Sequence, residues 1–96
     1  MRRAVALEIL REHKQELADK YGVTRIGIFG SVARDEATEE SDMDVVVEMT
    51  KPDLFLMVHI KEMLESVMHC QVDIVRYRDR MNAFLRRRID AEAVYV

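Results

Sequence analysis

Apolar and polar positions divide the chain into a short series of periodic segments. From residue 3 to 20, Ala6, Ile9, Leu10, His13 and Leu17 recur at helical spacing, which predicts an amphipathic helix. Lys20 in its last turn and Gly22 just beyond are stop signals. "VTRIGIFG" (23–30) predicts a strand ending on glycine, Gly30-Ser31 breaks it, and "SVARDE" predicts a short helix. After the polar "ATEES", the valine-rich "DMDVVVEM" (42–49) predicts a second strand. Pro52 suits a first helical turn, and Asp53 adds a favourable charge there. Leu56, Ile60, Met63, Leu64 and Val67 give that helix a buried stripe to residue 67. "QVDIVRY" (71–77) predicts a third strand. "RDRMNAFLRRRIDAEA" (78–93) predicts a last helix, with Met81, Leu85, Ile89 and Ala93 at four-residue spacing. The closing "VYV" reads as an apolar tail packed on the sheet.

The order α-β-α-β-α-β-α predicts an α/β (α+β) fold in which a small mixed sheet is covered by helices. No Pro/Gly/Ser-rich linker divides it, so residues 1–96 read as one domain. A chain this short buries only roughly 60–65% of its unfolded surface, which predicts a shallow site. Phe55 and Met57 read as core packing, with an exposed apolar patch as the alternative, and the seven methionines read as core filler. The net charge of -3 argues against a general nucleic-acid binder, and no direct nucleic-acid binding is expected. A single cysteine, Cys70, excludes an intramolecular disulfide and fits a reducing, cytoplasmic setting. Glu8 interrupts the first apolar run too early for a signal segment, and no run approaches the ~20 residues of a membrane span.

One stretch carries chemistry. Gly30 to Glu48, "GSVARDEATEESDMDVVVE", holds seven carboxylates in nineteen residues. Side chains alternate along a strand, so Asp42 and Asp44 share a face while Met43, Val45 and Val47 point into the apolar layer. Asp73 lies within the apolar "VDIV", and pairing of the two strands brings it to the same face. Three converging carboxylates repel one another unless a cation lies between them, and Mg²⁺, which favours carboxylate and phosphate oxygens, suits the position. Two such ions, held about 3.5–4 Å apart, clamp the attacking and leaving oxygens of a phosphoryl displacement. Gly30 allows close backbone approach, and a helix starting at Ser31 aims N–H groups at an anion. Asp35, Glu36, Glu39, Glu40 and Glu48 read as solvated charges. His59, His69 and Cys70 lack zinc spacing.

The combination of Gly30-Ser31, Ala33-Arg34, Ser41-Asp42-x-Asp44 and a later Val72-Asp73 strand resembles the nucleotidyltransferase superfamily related to polymerase beta. The small size resembles its minimal nucleotidyltransferases, the MNT group, and the likeness runs from "IGIFGS" to "AEAVYV". The resemblance implies transfer of a nucleoside monophosphate from a triphosphate to a hydroxyl, with release of pyrophosphate. It implies that Gly30 and Ser31 bind the β- and γ-phosphates and that Asp42 and Asp44 bind two Mg²⁺ ions. Asp73 is then a ligand of the catalytic metal that helps deprotonate the acceptor, and Arg34 a nucleotide-side group. MNT proteins pair with HEPN-domain proteins as antitoxin and toxin. The likeness therefore implies AMP transfer from ATP to a tyrosine of a HEPN ribonuclease. Asp35 stands where the family commonly has glycine, and "HCQVD" also lacks a commonly seen glycine.

Two other functions remain open at the level of sequence: transfer to a small hydroxylated molecule, and an antitoxin that acts by occlusion. The first needs more chain to hold its acceptor, and the second needs no metal ligands. Six arginines in "RYRDRMNAFLRRR" oppose the acids of 35–48. Arg86, Arg87 and Arg88 read either as a solvated helix face or as a contact for an acidic partner or phosphates.

Overall fold

The computed structural model describes all 96 residues as four helices and four strands. Helix α1 (Arg3–Tyr21) buries Ala6, Leu7, Leu10 and Leu17 and stops at Gly22. Gly22 takes the left-handed conformation, φ 68°, and its N–H donates to the carbonyls of Ala18 and Leu17. Leu7 replaces the expected His13 in the buried stripe, and the His13 ring lies within hydrogen-bonding distance of the Ile9 carbonyl, 2.9 Å away. Strand β1 (Val23–Phe29) runs into α2 (Gly30–Ala33), a single turn shorter than "SVARDE" predicts.

Strand β2 (Met43–Met49) starts one residue later than expected. The Met43 N–H donates to the Gln71 carbonyl, while Asp42 stays outside the ladder and exposed. Helix α3 (Leu54–Met68) begins after Pro52, not at it. Asp53 is the cap: its carboxylate accepts the N–H groups of Phe55 at 2.7 Å and Leu56 at 3.2 Å, which would otherwise lack partners. Strand β3 (Val72–Arg76) follows, then α4 (Ala83–Glu92), which starts five residues later than its periodicity suggests. Asn82 sets that start by accepting the Leu85 N–H, and Met81 is buried although it lies outside the helix. The tail forms a fourth strand, β4 (Val94–Tyr95).

The sheet order is β3-β2-β1-β4. Strand β1 is antiparallel to both β2 and β4, and β2 is parallel to β3, so the sheet is mixed. One face carries Ile26, Ile28, Met43, Val45, Val47 and Val72, packed against α1 and α3 in the larger core. The other face carries Phe29 and Val46 under Met81 and Ile89, with Val75 and Leu85 beside them. Strand β4 lies close to β1 because Gly27 has no side chain. A Cβ there would lie 2.5 Å from the Val94 carbonyl oxygen. Phe55 is 79% exposed and does not join the core; the positions α3 buries are Ile60, Leu64 and Met68. No helix is long and apolar enough to cross a membrane.

Candidate active site

The register of the sheet brings two of the three aspartates together. Asp44 on β2 lies directly opposite Asp73 on the parallel strand β3, and Phe29 at the end of β1 opposes Asp44 on its other side. Adjacent strands lie ~4.8 Å apart, so the two carboxylates project from neighbouring positions on the α4 side of the sheet. Asp42 precedes β2 and is exposed, although its charge still reaches Asp44. No three acidic, histidine or cysteine side chains form a ready-made metal cluster, and the strand register places Asp44 and Asp73 side by side. Asp42 lies one residue before β2, so strand alternation alone does not fix the direction of its side chain.

Asp44 holds its proton more tightly than an ordinary aspartate. Partial burial is the main cause, and the like charge of Asp73 adds to it. Arg88 and Arg34 act in the opposite sense through space. Neither Asp44 nor Asp73 belongs to a salt bridge. Paired oxygen donors with no cation in contact fit a hard divalent ion bound through carboxylates.

Gly30 lies against this pair. Its φ is 74°, and a Cβ there would overlap the Asp44 carboxylate. Both the backbone conformation and the space therefore require glycine. Its N–H is not available to an outside anion, because it donates to Glu92 Oε2 at 3.1 Å. The Ser31 side chain is partly exposed at the start of α2. One turn carries little macrodipole, so anion binding here rests on the local N–H groups of the first turn and the Ser31 hydroxyl.

Arg34 stands at the far end of α2. It donates to Glu36 at 3.2 Å and to Glu92 at 2.9 Å, and hydrogen bonding to Glu36, with the Glu92 charge adding, holds it more firmly protonated. Asp35 has φ 60° and accepts the Arg3 N–H, which explains why glycine suits this position. His69 likewise sits at φ 56° where α3 ends.

The arginine run divides by direction. Arg86 bonds the Tyr77 hydroxyl and the Asp79 carbonyl, Arg87 is exposed, and Arg88 lies over the Phe29 ring beside the aspartates. Glu92 escaped the sequence reading, and Arg88 stands in it only as part of the arginine run. Their connection to the glycine turn spans about sixty residues and leaves no local signal.

The site itself is open. The clefts of the molecule, about 350, 370 and 180 Å³, are lined by α1 with β1, by α3, β3 and α4, and by the α3 N-terminus with Arg76. None is lined by Gly30, Ser31, Asp44 or Asp73.

Comparison with known proteins agrees with this arrangement. The family described as "Nucleotidyltransferase domain" matches residues 10–96. Protein adenylyltransferase MntA of Thermococcus cleftensis is 37% identical over 89 residues, covering 92% of this chain and 89% of that one. A solved structure described provisionally as a minimal nucleotidyltransferase superposes with a TM-score of 0.78 at 35% identity, covering 98% of this chain and 95% of the other. The fold also recurs, at 16% identity and a TM-score of 0.70, in a complex of a tri-AMPylated Shewanella oneidensis HEPN toxin with its MNT antitoxin. That match covers 97% of this chain and 70% of the neighbour. The chain belongs to the nucleotidyltransferase domain family and is a nucleotidyltransferase of the minimal kind.

Proposed function

We propose that this protein transfers AMP from ATP to a hydroxyl, a tyrosine in the leading reading, on a HEPN ribonuclease toxin, and so acts as its antitoxin. The observation that carries the reading is the Asp44–Asp73 pair beside the Gly30-Ser31 turn, set on an open surface. A small acceptor needs walls, and no cleft surrounds this pair, whereas a protein acceptor brings its own. The adenylyltransferase name of the Thermococcus relative and the AMPylated toxin bound to the Shewanella neighbour support the choice of nucleotide and partner.

Each residue has a role in this reading. Asp42, Asp44 and Asp73 hold Mg²⁺, two ions in the full arrangement. When bound, the metal neutralises charge on the triphosphate and on the attacking oxygen. Asp73, the most exposed of the strand pair, accepts the proton of the acceptor hydroxyl. The acceptor oxygen bonds to the α-phosphorus as the bond from that phosphorus to the bridging oxygen breaks, and pyrophosphate leaves. Ser31 and the N–H groups of α2 beyond Gly30 grip the β- and γ-phosphates, and Gly30 permits the close approach. Arg34 offers positive charge to the departing pyrophosphate.

Catalysis and occlusion separate in one comparison. The Asp42→Asn, Asp44→Asn double variant is assayed for AMP transfer and for neutralisation of the toxin. The catalytic reading expects both to disappear while the complex still forms. Full neutralisation by the double variant would establish occlusion instead.

A further inference from the structure

Glu92 ends α4, where the helix macrodipole opposes an acidic side chain. It is nevertheless the most sheltered of the ion-paired carboxylates, 22% exposed, against 67% for Glu36. Donors from α2 and α4 offset the unfavourable position. Gly30 N–H donates to Oε2 at 3.1 Å, Arg34 Nη1 donates to Oε1 at 2.9 Å, and Arg88 Nη2 lies 3.7 Å from Oε2. Gly30 is thus fixed on two sides, by the Asp44 carboxylate in the place of a Cβ and by Glu92 at its amide. Arg88, one helical turn before Glu92, covers the Phe29 ring next to Asp44. Of the two carboxylates on Arg34, Glu36 is local and solvated, and such pairs fix little. Glu92 is the one able to set the direction of the guanidinium.

We propose that Glu92 is a positioning residue for nucleotide binding, joining the Gly30 amide and the Arg34 guanidinium into one rigid unit that presents Arg34 to the polyphosphate of a nucleoside triphosphate. The inference rests on the reading of this site as a nucleotidyltransferase centre. It acts through Arg34, not through contact with the reacting atoms. An alternative is a plain tether, in which Glu92 only fastens α4 to α2.

Glu92→Gln separates the two. It keeps the side-chain volume and an oxygen for the Gly30 N–H but removes the charge that holds Arg34. The measurement is calorimetric affinity for a non-hydrolysable ATP analogue with Mg²⁺, together with the melting temperature. The positioning role predicts roughly 10- to 150-fold weaker binding, the scale of one hydrogen bond to a charged group. Glu92→Asp recovers part of the loss. In an Arg34→Ala background, Glu92→Gln adds less than about twofold, because the two residues act as one unit. Unchanged or tighter binding in Glu92→Gln, or a loss that multiplies fully with that of Arg34→Ala, would overturn the role of Glu92 alone. Failure of the unaltered protein to bind the analogue would overturn the reading of the site and this role with it.

Discussion

Asp44 shows how one residue trades stability for chemistry. Burial and Asp73 raise its pKa, so the folded state holds the proton to higher pH than the unfolded chain does. Such a group favours folding below the unfolded value, ~3.9, and that contribution is lost as pH rises through the folded value. At neutral pH the ionised Asp44 therefore opposes folding. Asp44→Asn is expected to melt higher than the wild type at neutral pH without divalent metal. The difference should shrink on acidification below pH ~4, where both side chains are neutral. Added Mg²⁺ should raise the wild-type melting temperature above that of a sodium control at equal ionic strength and leave Asp44→Asn unmoved. AMP transfer should fall by about 10²-fold or more. Differential scanning calorimetry and a transfer assay read all four effects. At this scale the sequence was informative about Asp44 and Asp73, because alternation and parallel pairing carry them to one face. It was silent about Glu92, whose partners Gly30 and Arg34 lie 62 and 58 positions away.

Elements were legible where their periodicity continued to the last residue, and misread where a cap overrode it. The α3 start moved from Pro52 to Leu54 because the Asp53 carboxylate satisfies two N–H groups that a proline start would leave open. Asp53→Ala should cost about 1 kcal/mol, a fall in melting temperature of roughly 4–8 °C, with AMP transfer unchanged at permissive temperature. In α4 the spacing of Met81, Leu85 and Ile89 fits a helix from residue 78, but Asn82 caps at Leu85, and Met81 reaches the core from the preceding turn. The tail was read as apolar packing, and it forms β4 because Gly27 leaves room for its backbone. Gly27→Val is expected to displace Val94–Tyr95 and release the last turn of α4, which carries Glu92. Hydrogen exchange should then accelerate at the β1–β4 amides while the β2–β3 pairing stays protected.

At the scale of the whole molecule, the proposed function requires a second protein. Acids crowd the segment 35–48 and six arginines crowd 76–88; Arg86 and Arg88 pair with Asp79, Asp90 and Glu92, which leaves Arg76, Arg78, Arg80 and Arg87 to attract an acidic partner. Leu54 and Phe84, 80% and 67% exposed, stand in the first turns of α3 and α4. Association with the proposed HEPN partner is expected to slow several-fold when salt rises from ~0.05 to ~0.5 M, with dissociation changing less. Stopped-flow binding across that range checks it. The open setting of Asp44 and Asp73 is the other half of the argument, since an acceptor supplied by a partner needs a site it can reach. Length alone pointed to a shallow site. The positions of the clefts follow from side-chain packing, which no single sequence pattern reports.

The most direct measurement of the central claim is the intact mass of the HEPN partner after incubation with this protein, ATP and Mg²⁺. The account predicts a gain of one AMP residue or a small multiple of it, confined to hydroxyl side chains and absent when Asp44 is replaced by Asn. A partner whose mass stays unchanged while its ribonuclease activity is silenced would contradict it.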